Sequence, residues 1–310
     1  EAVGGTLLAG SEDGVVRKIC TDSRKAEPGD LFFPLIGENN DGHDFLAQVF
    51  EKGCRSIIVS DESKVPKREF LADGIQPDVI LVEDTTKALQ NLAQYYLGTL
   101  PMKKKIAVTG SVGKTSTRDM MYYIASMKYK TGRNLKNFNN GFGLPLSILE
   151  FAPDTEAAVL EMGMDNFGQI EILANLVKPD IALITNIGIS HIENLGSREG
   201  ILKAKMEVTS CFDEHSTLVV NSDCDLLCEE NVRGNYKLIT VGSEEDNCYR
   251  VSDVCDFGDK GIKYTLHRDD KSYTISLPVP GAHNAVNASL AIAAGEQMGI
   301  DIETAIRGLK

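Results

Sequence analysis

The sequence predicts an α/β protein in two parts: a small N-terminal α/β domain over residues 1–83, then a P-loop-type central domain over residues 84–310. The second part is expected to hold a mostly parallel sheet flanked by helices, with an antiparallel patch near its end. Three observations predict this. The run Ile106-Ala107-Val108-Thr109 enters a glycine turn, and Gly113-Lys114-Thr115 then opens a helical pattern toward Met127. Short apolar strands alternate with helical periodicity between Ala157 and Val220, as in a parallel sheet with helices on both faces. From Tyr249 to Leu277 the pattern changes to short alternating strands with Gly-Asp turns.

Taken in order, Val15 to Ile19 alternates and Leu31 to Ile36 is a buried-strand candidate ending at Gly37. Phe45 to Lys52 carries a helical pattern closed by Gly53, and Ser56 to Val59 is a strand. Pro77 and a helix from Thr85 to Leu97 set the domain boundary near residue 83. Beyond the glycine turn come a strand Ala157–Leu160, a helix Gly168–Val177, a strand Ile181–Thr185, a helix capped by Ser197 and a strand Thr217–Val220. Gly281 to Asn284 then starts a last helix over Ala285–Met298.

Strand, glycine turn and helix form a phosphate loop. Its residues are Thr109, Gly110, Ser111, Val112, Gly113, Lys114, Thr115 and Ser116. Glycines let backbone N–H groups approach an anion, and the helix N-terminus adds positive potential. Lys114 supplies charge, and the Thr115 hydroxyl suits Mg²⁺. The usual pattern has glycine where Val108 stands, so this is a tighter variant whose first glycine is Gly110.

Bulk properties exclude several classes. The net charge of −13 disfavours a general nucleic-acid binder, no apolar run reaches bilayer length, and the N-terminus shows no signal segment. Seven cysteines, an odd number without paired CxxC spacing, fit reduced thiols in a cytoplasm better than zinc. No membrane or nucleic-acid partner is expected, and a monomer is. A chain beginning at Glu1 rather than Met is expected to be a fragment or a trimmed chain.

In parallel sheets ligands collect at the carboxyl ends of strands. Glu161, His191 and Asp223 follow three such strands. Glu161, after four apolar residues, needs a partner: Mg²⁺ bridging nucleotide oxygens, or a basic neighbour in a salt bridge. His191 is either a metal ligand or a hydrogen-bonded structural residue. Spacing alone leaves Lys205 a solvated helical lysine. Asn139-Asn140 either meets a polar ligand or forms a turn. His283-Asn284 caps the helix after it, or Asn284 and Asn287, one turn apart, read a base edge. In the first domain, Asp22-Ser23-Arg24 and the turn before Phe45 suit an anionic ligand, and Asp22 and Asp44 serve equally well as caps.

Together these pieces resemble the Mur ligase family, the ATP-dependent amide-bond formers of bacterial peptidoglycan synthesis. The resemblance rests on T-G-S-V-G-K-T-S (Thr109–Ser116), D-S-R (Asp22–Arg24), P-G-D-L-F-F (Pro28–Phe33) and D-G-H-D-F (Asp41–Phe45). It extends through N-F-N-N-G-F-G-L-P (Asn137–Pro145), I-T-N-I-G-I-S-H-I-E (Ile184–Glu193), the A-K-M-E helix and G-A-H-N-A-V-N-A (Gly281–Ala288). E-M-G-M (Glu161–Met164) resembles the branch that adds D-alanyl-D-alanine to UDP-N-acetylmuramoyl-tripeptide. The sister that adds the third residue typically has E-V-S-S-H there.

The resemblance implies ATP and Mg²⁺, with Lys114 and Thr115 on phosphates and metal, and Glu161 and His191 on the metal. It aligns Lys205 with a lysine that several members carbamylate, making a carboxylate-like ligand. Asn284 and Asn287 would lie by the adenine. Asp22, Ser23, Arg24, Gly42, His43 and Phe45 would serve the UDP-sugar peptide, with Asn139, Asn140 and His283 near the substrate junction. Lys114, Lys205 and His191 are the implied catalytic set. The family's third, C-terminal Rossmann-like domain is expected to be missing from this chain. The alternatives are the sister ligase or a switch-type P-loop NTPase.

Overall fold

The computed structural model describes residues 2–11, 14–37, 39–66, 77–134 and 137–310, which fall into two compact units, 1–96 and 97–310.

The first unit holds a five-stranded sheet ordered β1-β5-β4-β3-β2, from β1 (Thr6–Ala9), β2 (Ile19–Cys20), β3 (Leu31–Phe32), β4 (Ser56–Val59) and β5 (Asp78–Leu81). β2 to β5 run parallel and β1 is antiparallel to β5. Helix α1 (Leu46–Glu51) buries Leu46, Val49 and Phe50 in a core with Phe32, Ile57, Val59 and Val79. Val15 and Val16 are exposed, at 91% and 41%, so the strand expected from Val15 shrinks to Ile19–Cys20. Alternation without a buried neighbour gives no strand. The strand expected over Leu31–Ile36 likewise stops at Phe32.

Helix α2 (Thr85–Thr99) carries the boundary. Its Thr85 hydroxyl donates to the Pro34 carbonyl at 2.8 Å, and the compact units divide after Tyr96 rather than near residue 83.

The second unit is built on a nine-stranded sheet ordered β14-β13-β12-β11-β10-β9-β6-β8-β7. Its strands are β6 (Lys104–Thr109), β7 (Thr131–Arg133), β8 (Ala157–Glu161), β9 (Ile181–Ile184), β10 (Thr217–Asn221), β11 (Lys237–Gly242), β12 (Tyr249–Asp256), β13 (Ile262–Arg268) and β14 (Lys271–Leu277). β7 to β12 are parallel, and β12-β13-β14 is the expected antiparallel patch. Its helices are α3 (Lys114–Ser126), α4 (Gly143–Leu149), α5 (Gln169–Val177), α6 (Ile192–Leu195), α7 (Arg198–Met206), α8 (Glu229–Val232), α9 (His283–Gln297) and α10 (Ile302–Gly308).

The main core joins α3 and α9 to the sheet. Alanines 285, 288, 291, 293 and 294 of α9 are fully buried beside Ile124, Met121 and Tyr264. Small residues let the helix approach the strands closely. Ser197 caps α7 as expected, its hydroxyl accepting from the Gly200 N–H at 3.1 Å. The helix expected to be last is followed by α10, capped by Asp301. In this topology β6 lies between β8 and β9, so the loop after β6 has the ends of both beside it.

Candidate active site

The phosphate loop forms where β6 ends. Gly110 has φ 145° and Gly113 φ 82°, conformations that other residues reach only under strain. A Cβ on Gly110 would stand 1.9 Å from the Thr185 hydroxyl, and one on Gly113 would press on Asn287 at 3.0 Å. Gly113 precedes α3, whose first amides have no partner within the helix. Lys114 folds back over the loop, its ammonium donating to the carbonyls of Gly110 (3.0 Å) and Ser111 (3.2 Å).

Lys205, for which spacing predicted a solvated position, is buried at 3% exposure, and its ammonium donates to the same Gly110 carbonyl at 2.9 Å. α7 puts it there because Ile201, Leu202 and Ala204 of that helix are also buried. Burial, with the Lys114 charge adding to it, brings the Lys205 pKa down to about 7. Burial also lowers Lys114, with Glu161 opposing. Among the described residues neither ammonium has an ion-pair partner.

Glu161, ending β8, is buried and three groups converge on its carboxylate. The Thr115 hydroxyl donates to Oε2 at 2.8 Å, the Asn139 amide to Oε1 at 2.8 Å, and the Arg118 guanidinium stands 3.4 Å from Oε2. Asn134 fixes the backbone of Glu161 by accepting from its N–H at 2.9 Å and donating to its carbonyl at 3.0 Å. The basic neighbour considered from the sequence is therefore present as Arg118, which also pairs with Asp119 at 2.7 Å. The metal reading keeps its donors. A carboxylate and a hydroxyl are paired hard oxygens at the mouth of a phosphate loop, and Mg²⁺ takes few protein ligands beside phosphate oxygens and water. These residues fit Mg²⁺.

The remaining residues sort by what they touch. His191 is exposed at φ 64° before α6, with no hydrogen bond to Glu161 or Thr115. Asn284 donates to the Pro280 carbonyl at 2.7 Å and accepts from Asn287 at 3.2 Å, and Asn287 lies against Gly113. His283 is exposed at the start of α9. The Asn140 side-chain oxygen accepts from the N–H groups of Phe142 (3.2 Å) and Gly143 (2.9 Å), a cap for α4. Asp223 turns to Ser243, accepting from its N–H at 2.7 Å. Thr109 is fully buried with no hydrogen-bond partner for its hydroxyl among the described residues, and Ser116 is exposed in the first turn of α3.

In the first unit the expected ligand residues meet each other. Asp22 caps the turn Ser23–Lys25 and receives both Nε and Nη2 of Arg24 at 2.9 Å, which holds its carboxyl at about 2. His43 is buried. Its Nε2 accepts from the Ser60 N–H at 3.0 Å, so Nδ1 carries the proton donated to Asp41 at 2.6 Å. Gly42 donates to the Leu35 carbonyl at 2.9 Å, Ser23 is buried, and Phe45 is 43% exposed.

Sequence reasoning missed Arg118, Asn134, Thr185 and Asn186. Asn186 carried a usable signal, a polar residue just past a strand on the sheet edge that holds the loop. Arg118, inside a helix, carried none.

The family model described as Mur ligase middle domain matches residues 108–295, and that described as Mur ligase family, catalytic domain, matches residues 15–97. The chain belongs to the Mur ligase family. This Mur ligase chain is 41% identical over 310 residues to UDP-N-acetylmuramoyl-tripeptide–D-alanyl-D-alanine ligase of Bacillus subtilis, all of this chain and 65% of that protein being covered. It therefore spans somewhat under two thirds of that relative. Among solved structures, MurF from Acinetobacter baumannii matches at 30% identity and TM-score 0.89, over 99% of this chain and 66% of that one. MurF from Thermotoga maritima in complex with ADP matches at 27% identity and TM-score 0.81, over 95% and 66%. These relatives agree with the family branch that E-M-G-M (Glu161–Met164) resembles. No helix among the described residues is long and apolar enough to cross a membrane.

Proposed function

We propose that this Mur ligase chain is the UDP-substrate- and nucleotide-binding part of a cytoplasmic, monomeric ligase. It would use ATP to join D-alanyl-D-alanine to UDP-N-acetylmuramoyl-tripeptide. The observation that carries the reading is the phosphate loop flanked by two lysines, with Thr115 paired to Glu161 beside it. The likeness to ligases of that name and to an ADP complex supports it.

The chemistry follows from charge. A tripeptide carboxylate oxygen attacks the γ-phosphorus of ATP, the bond to the β-phosphate oxygen breaks, and ADP leaves an acyl phosphate. The dipeptide amine then attacks the acyl carbon, loses a proton and expels phosphate. Lys114 and the first amides of α3 neutralise and orient the phosphates, which is most of what phosphoryl transfer asks of a protein. Thr115 and Glu161 would hold Mg²⁺, with His191 and a carbamylated Lys205 as further ligands. Bound there, the ion supplies charge neutralisation between phosphate oxygens. Lys205 suits modification, because an amine near pKa 7 is partly neutral at physiological pH and can add to CO₂, releasing a proton. Asn284 and Asn287 would border the adenine, and Asp22, Arg24 and Phe45 the UDP substrate. Neither nucleic acid nor membrane is a partner in this reading.

The test is phosphate release from ATP, with and without the two other substrates, in this chain and in one extended to the relatives' length. Release that requires both in the extended chain supports the ligase. Release indifferent to them replaces it with a switch-type NTPase.

A further inference from the structure

The loop is a tight variant, and something must hold it in shape. The Ser111 N–H and hydroxyl and the Val112 N–H and carbonyl are all tied to one turn, residues 185–188, which follows β9. The Asn186 side-chain oxygen accepts from the N–H groups of Ser111 (3.0 Å) and Val112 (2.9 Å). Ser111 N–H is shared with the Asn186 backbone carbonyl at 3.1 Å. The Thr185 hydroxyl donates to the Val112 carbonyl, and the Gly188 N–H donates to the Ser111 hydroxyl at 2.9 Å. Asn221 steadies the turn in its own place, donating to the Thr185 carbonyl at 2.9 Å.

This divides the loop in two. The amides of Ser111 and Val112 are spent on Asn186, while those of Gly113, Lys114 and Thr115, at the start of α3, have no hydrogen-bond partner among the described residues. An anion in this loop meets the second group and Lys114, not the first. An asparagine suits the task because its oxygen accepts two N–H bonds without bringing a negative charge to a phosphate site. Aspartate would make the same two bonds and repel the ligand.

We propose that Asn186 is a positioning residue for the phosphate loop: its carboxamide fastens the loop's first half so that the second half presents its amides to the nucleotide. Ser111 and Val112 stay fastened whether or not nucleotide is bound. The role rests on the nucleotide reading above, and the experiment separates the two.

Amide hydrogen exchange at Ser111 and Val112 and affinity for ADP are measured in the parent, Asn186→Ala and Asn186→Asp. Thermal melting reports whether each variant folds. Loss of two hydrogen bonds predicts exchange at both amides about 10-fold faster in Asn186→Ala, with ADP affinity down about 10-fold or more in a chain that still melts cooperatively. Asn186→Asp is expected to keep the exchange protection and still lose ADP affinity, a split that a merely structural residue would not give. Parent protection should persist with ADP. The proposal is overturned if Asn186→Ala exchanges and binds like the parent, or if ADP exposes these amides in the parent. Were Asn186→Ala to lack a cooperative melt, the parent exchange with and without ADP and the Asp variant would decide. A parent that binds no ADP overturns the nucleotide reading and with it the role assigned to Asn186, even if both amides are protected.

Discussion

The two units treat charge in opposite ways. In the first, groups expected to face an anion have answered one another: Arg24 lies on Asp22, and His43 is held between Asp41 and Ser60. In the second, two ammonium groups meet on one carbonyl oxygen without an ion-pair partner among the described residues, and one of them is buried. Balanced groups need nothing more to be stable. Like charges held together in a poorly solvated place are costly, and an anion bound beside them would offset that cost. The imbalance, rather than the motif alone, distinguishes a site from a well-made turn.

The contrast breaks most decisively at Lys114. Lys114→Ala is expected to lower phosphate release or ADP affinity by about 1,000-fold, as loss of a phosphate-facing charge does, while melting changes little. Titration calorimetry with ADP checks it. Retained affinity would mean that the paired lysines are not there for phosphate.

Glu161 tests the balanced part of the same site. Glu161→Ala removes the acceptor of Thr115, Asn139 and Arg118, leaves Arg118 paired with Asp119, and should cost about 1–2 kcal/mol of stability. Glu161→Gln keeps an oxygen and an amide near Asn139 and Thr115, and should recover much of that while still weakening Mn²⁺ affinity read by electron paramagnetic resonance. Equal metal affinity in the Gln variant and the parent would remove Glu161 from the metal site.

Lys205 sets the pH dependence. Its folded-state pKa is lowered from 10.5 to about 7 by burial, with Lys114 adding to it. Below about pH 7 the ammonium is present in both states, and the folded state bears the whole cost of burying it. Between about 7 and 10.5 the unfolded chain binds more protons, so stability rises with pH through that window. Lys205→Met should therefore melt higher than the parent at pH 6, with the gap closing toward pH 10. A constant gap across that range would show that the lysine is not buried as a charge. Carbamylation would appear in the parent, and not in this variant, as a ¹³C resonance after incubation with labelled bicarbonate.

What the sequence made legible followed how local each cause is. The phosphate loop, the Ser197 cap and the patterns of α5, β8 and β9 are written in neighbouring residues. Lys205 was misplaced because its burial comes from α7 packing as a whole, and a lysine two residues from another gives no sign of which one points inward. Arg118, Asn134 and Asn186 act across strands, on residues 43, 27 and about 75 positions away. No periodicity records such a contact. Val15 and Val16 erred the other way, offering alternation to a sheet that never covers them.

The mildest change tests whether the first unit is as self-sufficient as its bonds suggest. Arg24 is 82% exposed in its side chain, which among the described residues is tied only to Asp22. Such a pair contributes little, so Arg24→Ala should melt close to the parent. Asp22→Ala should cost about 1 kcal/mol, because Asp22 also caps the turn by accepting the Arg24 N–H at 3.1 Å. Binding of a UDP-sugar ligand sharpens the comparison. If Asp22 serves only to aim the Arg24 fork, both variants lose affinity together by a similar factor, and Arg24→Lys fails to restore it because an ammonium cannot reproduce the bidentate geometry. If Arg24→Ala binds the ligand as the parent does, the pair is a turn stabilised for its own sake, and the first unit's ligand must be held by groups other than this one.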